Sequence, residues 1–78
     1  MVEAKITIDL KGVTDPFARR SKIVEELEKI NSGEHALIVS DDPKMEKLAQ
    51  SMISSIGLAE VVNVTKEGDL VKILVKKA

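Results

Sequence analysis

The sequence predicts an α+β domain, a two-layer α/β sandwich of order β-α-β-α-β-β with both helices on one face of a four-stranded sheet. Three observations carry this. Apolar and polar residues alternate with period two at both ends of the chain. Two stretches between them carry apolar residues at helical spacing, and an Asp-Pro dipeptide leads into each. The last two extended runs are separated only by a short Gly-containing break. Strands that alternate with helices form crossovers of right-handed sense, which puts both helices on one side and leaves the other face of the sheet open.

Each element has its own local warrant. Val2, Ala4, Ile6, Ile8 and Leu10 alternate with Glu3, Lys5, Thr7 and Asp9, the pattern of a strand with one wet face, and Gly12 ends it. From Pro16 the period changes. Phe17, Ile23, Val24, Leu27 and Ile30 fall on one helical stripe, with Arg19, Lys22, Glu25, Glu26 and Lys29 outside it and Arg20 near its border. The helix is expected to stop near Asn31-Ser32-Gly33, where Gly33 suits a left-handed cap.

His35-Ala36-Leu37-Ile38-Val39-Ser40 is a nearly unbroken apolar run, as a central strand requires. Asp41-Asp42-Pro43 repeats the helix-start signal, with Pro43 expected at the first helical position. Met45, Leu48, Ala49, Met52, Ile53 and Ile56 then form a stripe that Gly57 ends. Gln50, Ser51, Ser54 and Ser55 give this helix a polar but nearly uncharged outer face, a weak candidate for a partner surface. Ala59 to Thr65 and Leu70 to Lys77 make a hairpin around Lys66-Glu67-Gly68-Asp69. On the open face, strand two must turn out either Ala36 and Ile38 or Leu37 and Val39, and Leu70 and Leu74 are expected to join them. The result is a small apolar patch, read either as ordinary scattered exposure or as a surface for a weak homodimer.

Composition narrows the function classes. Seventy-eight residues make a single domain, 1–78, without a linker. The chain is 44% hydrophobic and 32% charged, with a net charge of -1 and signs interspersed, which is not the balance of a general nucleic-acid binder. Phe17 is the only aromatic residue, so base stacking has no platform. No cysteine is present, which removes disulfides, thiolate chemistry and cysteine-based metal sites, and His35 is the only histidine. No apolar run approaches a membrane span, and the first residues lack an apolar signal region, so a soluble, cytoplasmic protein is expected.

The segment Asp9-Leu10-Lys11-Gly12-Val13-Thr14-Asp15-Pro16 joins the first strand to the first helix and is the candidate site. Gly12, Thr14, Asp15 and Pro16 form the loop and helix N-terminus, where partial positive charge collects. Asp15 reads first as the helix cap, with a role in holding a partner's cationic group compatible with capping. Carboxylate nucleophiles exist, but no second catalytic group stands near it in sequence, so an enzyme is not expected. Asp41 and Asp42 read as a strand-to-helix turn with one Asp as cap rather than as a metal pair, because a hard cation needs more oxygen ligands. No metal or cofactor is expected. His35 reads as a strand-edge residue. Lys11, Arg19, Arg20 and Lys22 form the one local basic patch, either a solvated face or an anion-binding or docking surface. Lys and Arg in the first turns oppose the helix dipole, a small cost that hints at use.

Together these residues resemble the TusA/SirA-like sulfur-carrier family. Its pattern is a strand, then Asp-x-x-Gly-Leu-x-Cys-Pro-x-Pro opening a helix, a Gly-Glu-led strand into Asp-Asp-Pro, a second helix ending at Gly, and a hairpin. Asp9, Gly12 and Pro16 fit the opening. The run from Gly33 and Glu34 to Asp41, Asp42 and Pro43 fits the middle without a gap, and Gly57 and Glu67-Gly68-Asp69 fit the end. The resemblance implies a mixed sheet of order 1-2-4-3 with strand four antiparallel, and a carrier that passes persulfide sulfur between partners, for example towards tRNA thiolation. The departures concern the site. Asp15 occupies the cysteine position, Val13 replaces Leu, Ala18 replaces the second Pro, and one extra residue lies between Asp15 and Gly33. A carboxylate cannot carry a sulfane sulfur. The expectation is therefore a non-catalytic, cysteine-less member acting as an adaptor or regulator through protein–protein contacts. The alternatives are an RNA-interacting module using the basic face of helix one, and a scaffold for sulfur transfer in which a partner supplies the thiol.

Overall fold

A computed structural model describes residues 3–78. The chain runs β1 (Ala4–Asp9), α1 (Pro16–Leu27), β2 (His35–Ser40), α2 (Met45–Ile56), β3 (Ala59–Glu67) and β4 (Leu70–Lys77). The four strands form one open mixed sheet of order β1-β2-β4-β3, with both helices on one face. β1 and β2 are parallel, while β4 runs antiparallel to both β2 and β3. The expected architecture and strand order are those observed.

The core is aliphatic. Ile8, Leu10, Ile38, Ile73 and Val75 from the sheet side close on Ile23 and Leu27 of α1 and on Met45, Ala49 and Ile53 of α2, all essentially inaccessible to water. Burying each Leu or Ile side chain of this cluster stabilises the fold by roughly 1.5–3 kcal/mol. Strand two turns Ala36 and Ile38 inward, which settles the open-face alternatives in favour of Leu37 and Val39. Leu37, Leu70 and Leu74 are half-buried there and Val39 is buried, so the apolar patch is small.

Several expected details are corrected. Phe17 is not part of the buried stripe: it is 80% exposed, and Arg19 takes the inward place expected to be apolar. Phe17 lies about 120° round the helix from Ile23, whereas Arg19, Ile23 and Leu27 follow one another at spacing four along a single line. Leu48 of the second stripe is also exposed, at 46%. α1 ends at Leu27 rather than near Asn31. Beyond it Lys29 N–H donates to Glu26 O and Ile30 N–H to Leu27 O, the tighter three-residue turns common at helix ends. Ile30 stays buried, and Gly33 (φ 88°) serves the lead-in to β2, donating to Lys77 O at 2.8 Å, rather than capping α1. Gly57 does end α2, with φ 75°.

In β1 the register slips between Ala4 and Ile6, so the expected alternation holds from Ile6 onward, and Val2 lies outside the described residues. β3 continues to Glu67, which shortens the hairpin loop to Gly68 and Asp69, and a second register shift leaves Val62 bulged and exposed.

Candidate functional site

Parallel pairing of β1 with β2 brings the loops that follow them to the same end of the sheet. This end, beyond the carboxyl ends of parallel strands, is where open α/β sheets place their sites. The first loop folds on itself. Asp9 Oδ1 accepts from Lys11 N–H at 2.9 Å, and Val13 N–H donates to Leu10 O at 3.1 Å. Gly12 sits at φ 78°, and an added Cβ would meet nothing within 4 Å. Backbone conformation rather than crowding therefore calls for glycine here.

Asp15 is the N-cap of α1. Its backbone is extended (φ -76°, ψ 122°), its Oδ1 accepts from Phe17 N–H at 3.1 Å, and Pro16 takes the first helical position. Thr14 and Asp15 are both exposed. The loop thus presents an anion at a helix N-terminus.

The second loop supports the first. The Asp41 carboxylate accepts from Gly12 N–H at 3.2 and 3.3 Å. Arg19, only 9% exposed, donates through Nε to Val13 O at 2.8 Å and through a terminal nitrogen to Asp42 Oδ2 at 2.8 Å, and another of its nitrogens lies 3.8 Å from Met45 Sδ. Asp42 Oδ1 also accepts from Lys44 N–H at 3.0 Å. That backbone donor, followed by Arg19, holds the Asp42 carboxyl below its ordinary value. The N-cap position of α2, expected to hold an Asp, is Lys44, and no side chain caps it; Asp42 Oδ1 instead closes the turn ahead of α2. Pro43 is also not at the first helical position: Met45 N–H donates to Asp42 O and Glu46 N–H to Pro43 O in a tight turn, and regular helix begins at Met45.

The basic patch separates into two kinds of residue. Arg19 is an internal tie, and Lys22 Nζ donates to the Asp9 carbonyl at 2.6 Å. Lys11 and Arg20 are exposed, Arg20 beside a shallow depression formed with Ser21, Val24, Glu25 and Glu28. Among the described residues no group of three or more His, Cys, Asp or Glu side chains is arranged to hold a metal ion, and no helix is long and apolar enough to cross a membrane. His35 lies at the start of β2, opposite Lys76 of β4.

Sequence reasoning missed two parts of this site. The buried arginine had a signal, since Arg19 stands one helical repeat before Ile23 and Leu27. The bond between Asp41 and Gly12 had none, because it joins residues 29 positions apart.

Neither a scan against models of known protein families nor a search of curated protein sequences finds a match for this chain.

Proposed function

We propose that this chain is a cysteine-less relative of the TusA/SirA-like sulfur carriers and works as a non-catalytic adaptor or regulator, docking on a protein partner through the loop ahead of α1. The observation that carries this reading is the position of Asp15. In a domain of strand order 1-2-4-3, it is the residue that opens α1, where the resembling family has its cysteine, and its carboxylate is used as a cap. The loop keeps its glycine turn, its proline and an anion, held by Asp41 and Arg19. Such a loop presents a fixed shape without transferring a group. The commitment of Arg19 and Lys22 to internal acceptors favours protein docking over RNA, since it removes two of the four cations that the basic face would offer to phosphates. On this reading the chain works in the cytoplasm beside sulfur-transfer proteins.

The test is Asp15→Cys, with Ser32→Cys as an exposed control. Incubated with a cysteine desulfurase and cysteine, Asp15→Cys is expected to gain sulfane sulfur several-fold faster than the control, and excess native chain should slow that labelling by competing for the same surface. Equal labelling of the two variants, or no competition by the native chain, would overturn the reading.

A further inference from the structure

The solvent side of α1 is an open surface. Phe17 is 80% exposed, Arg20, Ser21, Glu25 and Glu28 are exposed, and Val24 is half-buried. All but Phe17 border the shallow depression described above, whose wall is α1 alone. Arg20, Val24 and Glu28 stand four residues apart, so they form one ridge, with a charge about 6 Å along the axis on either side of Val24. All three keep helical geometry. Arg20 and Val24 lie within Pro16–Leu27, and Glu28 is the C-cap, with φ -66° and ψ -18° and its N–H bonded to Val24 O at 3.1 Å.

Neither charge has a partner on its own helix. The residues three and four places away are Pro16, Phe17, Ile23 and Val24 for Arg20, and Val24, Glu25, Asn31 and Ser32 for Glu28. Among the described residues neither forms an ion pair. The ridge is therefore a cation, an aliphatic centre and an anion at equal spacing.

We propose that α1 packs antiparallel on α1 of a second copy of this chain, with Val24 against Val24 at a two-fold axis. In this register Arg20 faces Glu28 of the second copy, and the symmetry makes the pair twice. Phe17, seven residues before Val24, lies on the same side of the helix and reaches the stem of Glu28 and the exposed Asn31 of the second copy. The one aromatic ring of the chain is thereby covered in both copies. Other arrangements lose these matches. Parallel pairing in register sets Arg20 against Arg20. Sliding one copy by a turn sets a charge against Val24, and sliding it by two turns brings Arg20 to Arg20 or Glu28 to Glu28.

α2 has no such ridge. Its outer lines Glu46-Gln50-Ser54 and Lys47-Ser51-Ser55 carry one charge each, both at the same end, so neither complements itself. Two helices this short bury an area at the weak, reversible end of protein interfaces, and the dimer belongs to high chain concentration.

Sedimentation equilibrium from micromolar to millimolar chain tests this, with cross-linking as a second measurement. The native chain is expected to dimerise. Val24→Glu is expected to stay folded by circular dichroism and to abolish the dimer, and Phe17→Ala to weaken it by about tenfold. Arg20→Glu and Glu28→Arg are each expected to weaken it by about fivefold, and the double exchange to restore it. Because the chain has no cysteine, a single one reports position cleanly. A short bis-maleimide is expected to join Val24→Cys into dimers several-fold faster than Ser54→Cys, an exposed control on α2. A strict monomer at millimolar concentration overturns the proposal. So does a dimer that survives Val24→Glu, or equal cross-linking of the two cysteine variants, because another surface would then be responsible.

Discussion

Asp15-Pro16 and Asp42-Pro43 are the same dipeptide at corresponding places, each between a parallel strand and its helix, yet they form different junctions. In both, the Asp Oδ1 accepts the backbone N–H two residues on, from Phe17 or from Lys44. At the first junction the helix starts at once, with Pro16 at its first position. At the second, a tight turn intervenes and helix begins at Met45. The second carboxylate has a further duty, since Asp42 Oδ2 holds Arg19 from the other helix while the neighbouring Asp41 holds Gly12 from the other loop. Asp15 serves its own helix; Asp41 and Asp42 serve both junctions. The shape of the candidate docking loop therefore depends on residues outside it.

The largest expected effect comes from cutting that dependence. Arg19→Ala removes the donors to Val13 O and Asp42 and leaves a gap beside Met45. A loss of about 2 kcal/mol in urea unfolding is expected, the scale of a hydrogen bond to a charged group plus the lost packing of a buried stem. Amide exchange at Gly12 and Val13 should quicken along with it. Arg19→Met, which keeps the stem, should recover part of the stability but not the slow exchange of the loop. If Arg19→Ala left loop exchange unchanged, the two junctions would be independent.

Asp15→Ala is the matched cut at the first junction and should cost less, about 1 kcal/mol, the usual value of an N-cap. Its effect should be confined to the first turn of α1, with the exchange of Lys44 and Met45 amides as in the native chain. A loss as large as that of Arg19→Ala would mean that Asp15 has partners beyond its own helix.

These junctions also mark how far the sequence could be read. Element order followed from local signals: the alternation of Ile6 and Ile8 with Thr7 and Asp9, the spacing of Ile23 with Leu27 and of Ala49 with Ile53, and the left-handed turns at Gly57 and Gly68. Each of these is decided within a few residues. Reading failed where distant groups decide. Whether Phe17 or Arg19 faces inward depends on Asp42 and Val13 being there to receive a guanidinium, and hydrophobicity alone ranks the two residues the wrong way round. Asp42, in the turn ahead of α2, is likewise bound to the other helix through Arg19. At the site, the glycine turn and the Asp15 cap were legible, whereas the ties that hold the loop were not, since they run between residues brought together only by parallel pairing of β1 and β2.

The smallest expected effect is in the acid range, and it separates the two duties of Asp42. Its carboxyl is held below its ordinary value near 3.8, first by the Lys44 backbone N–H and then by Arg19. The folded state therefore binds that proton less readily than the unfolded chain. The stability this contributes is present above the ordinary value and lost as pH falls through the lowered one. Asp42→Asn should accordingly be less stable than the native chain near neutral pH, and the gap should narrow as pH falls below 3.8. Because Asp42 is only partly covered, solvent screening keeps this gap smaller than that of Arg19→Ala. In the Arg19→Met background, Asp42→Asn should still change the acid limb, since the larger contribution comes from Lys44 N–H, which that background retains. An acid limb unaffected by Asp42→Asn once Arg19 is gone would show instead that the ion pair across the junctions, and not the cap of the local turn, holds this carboxylate charged.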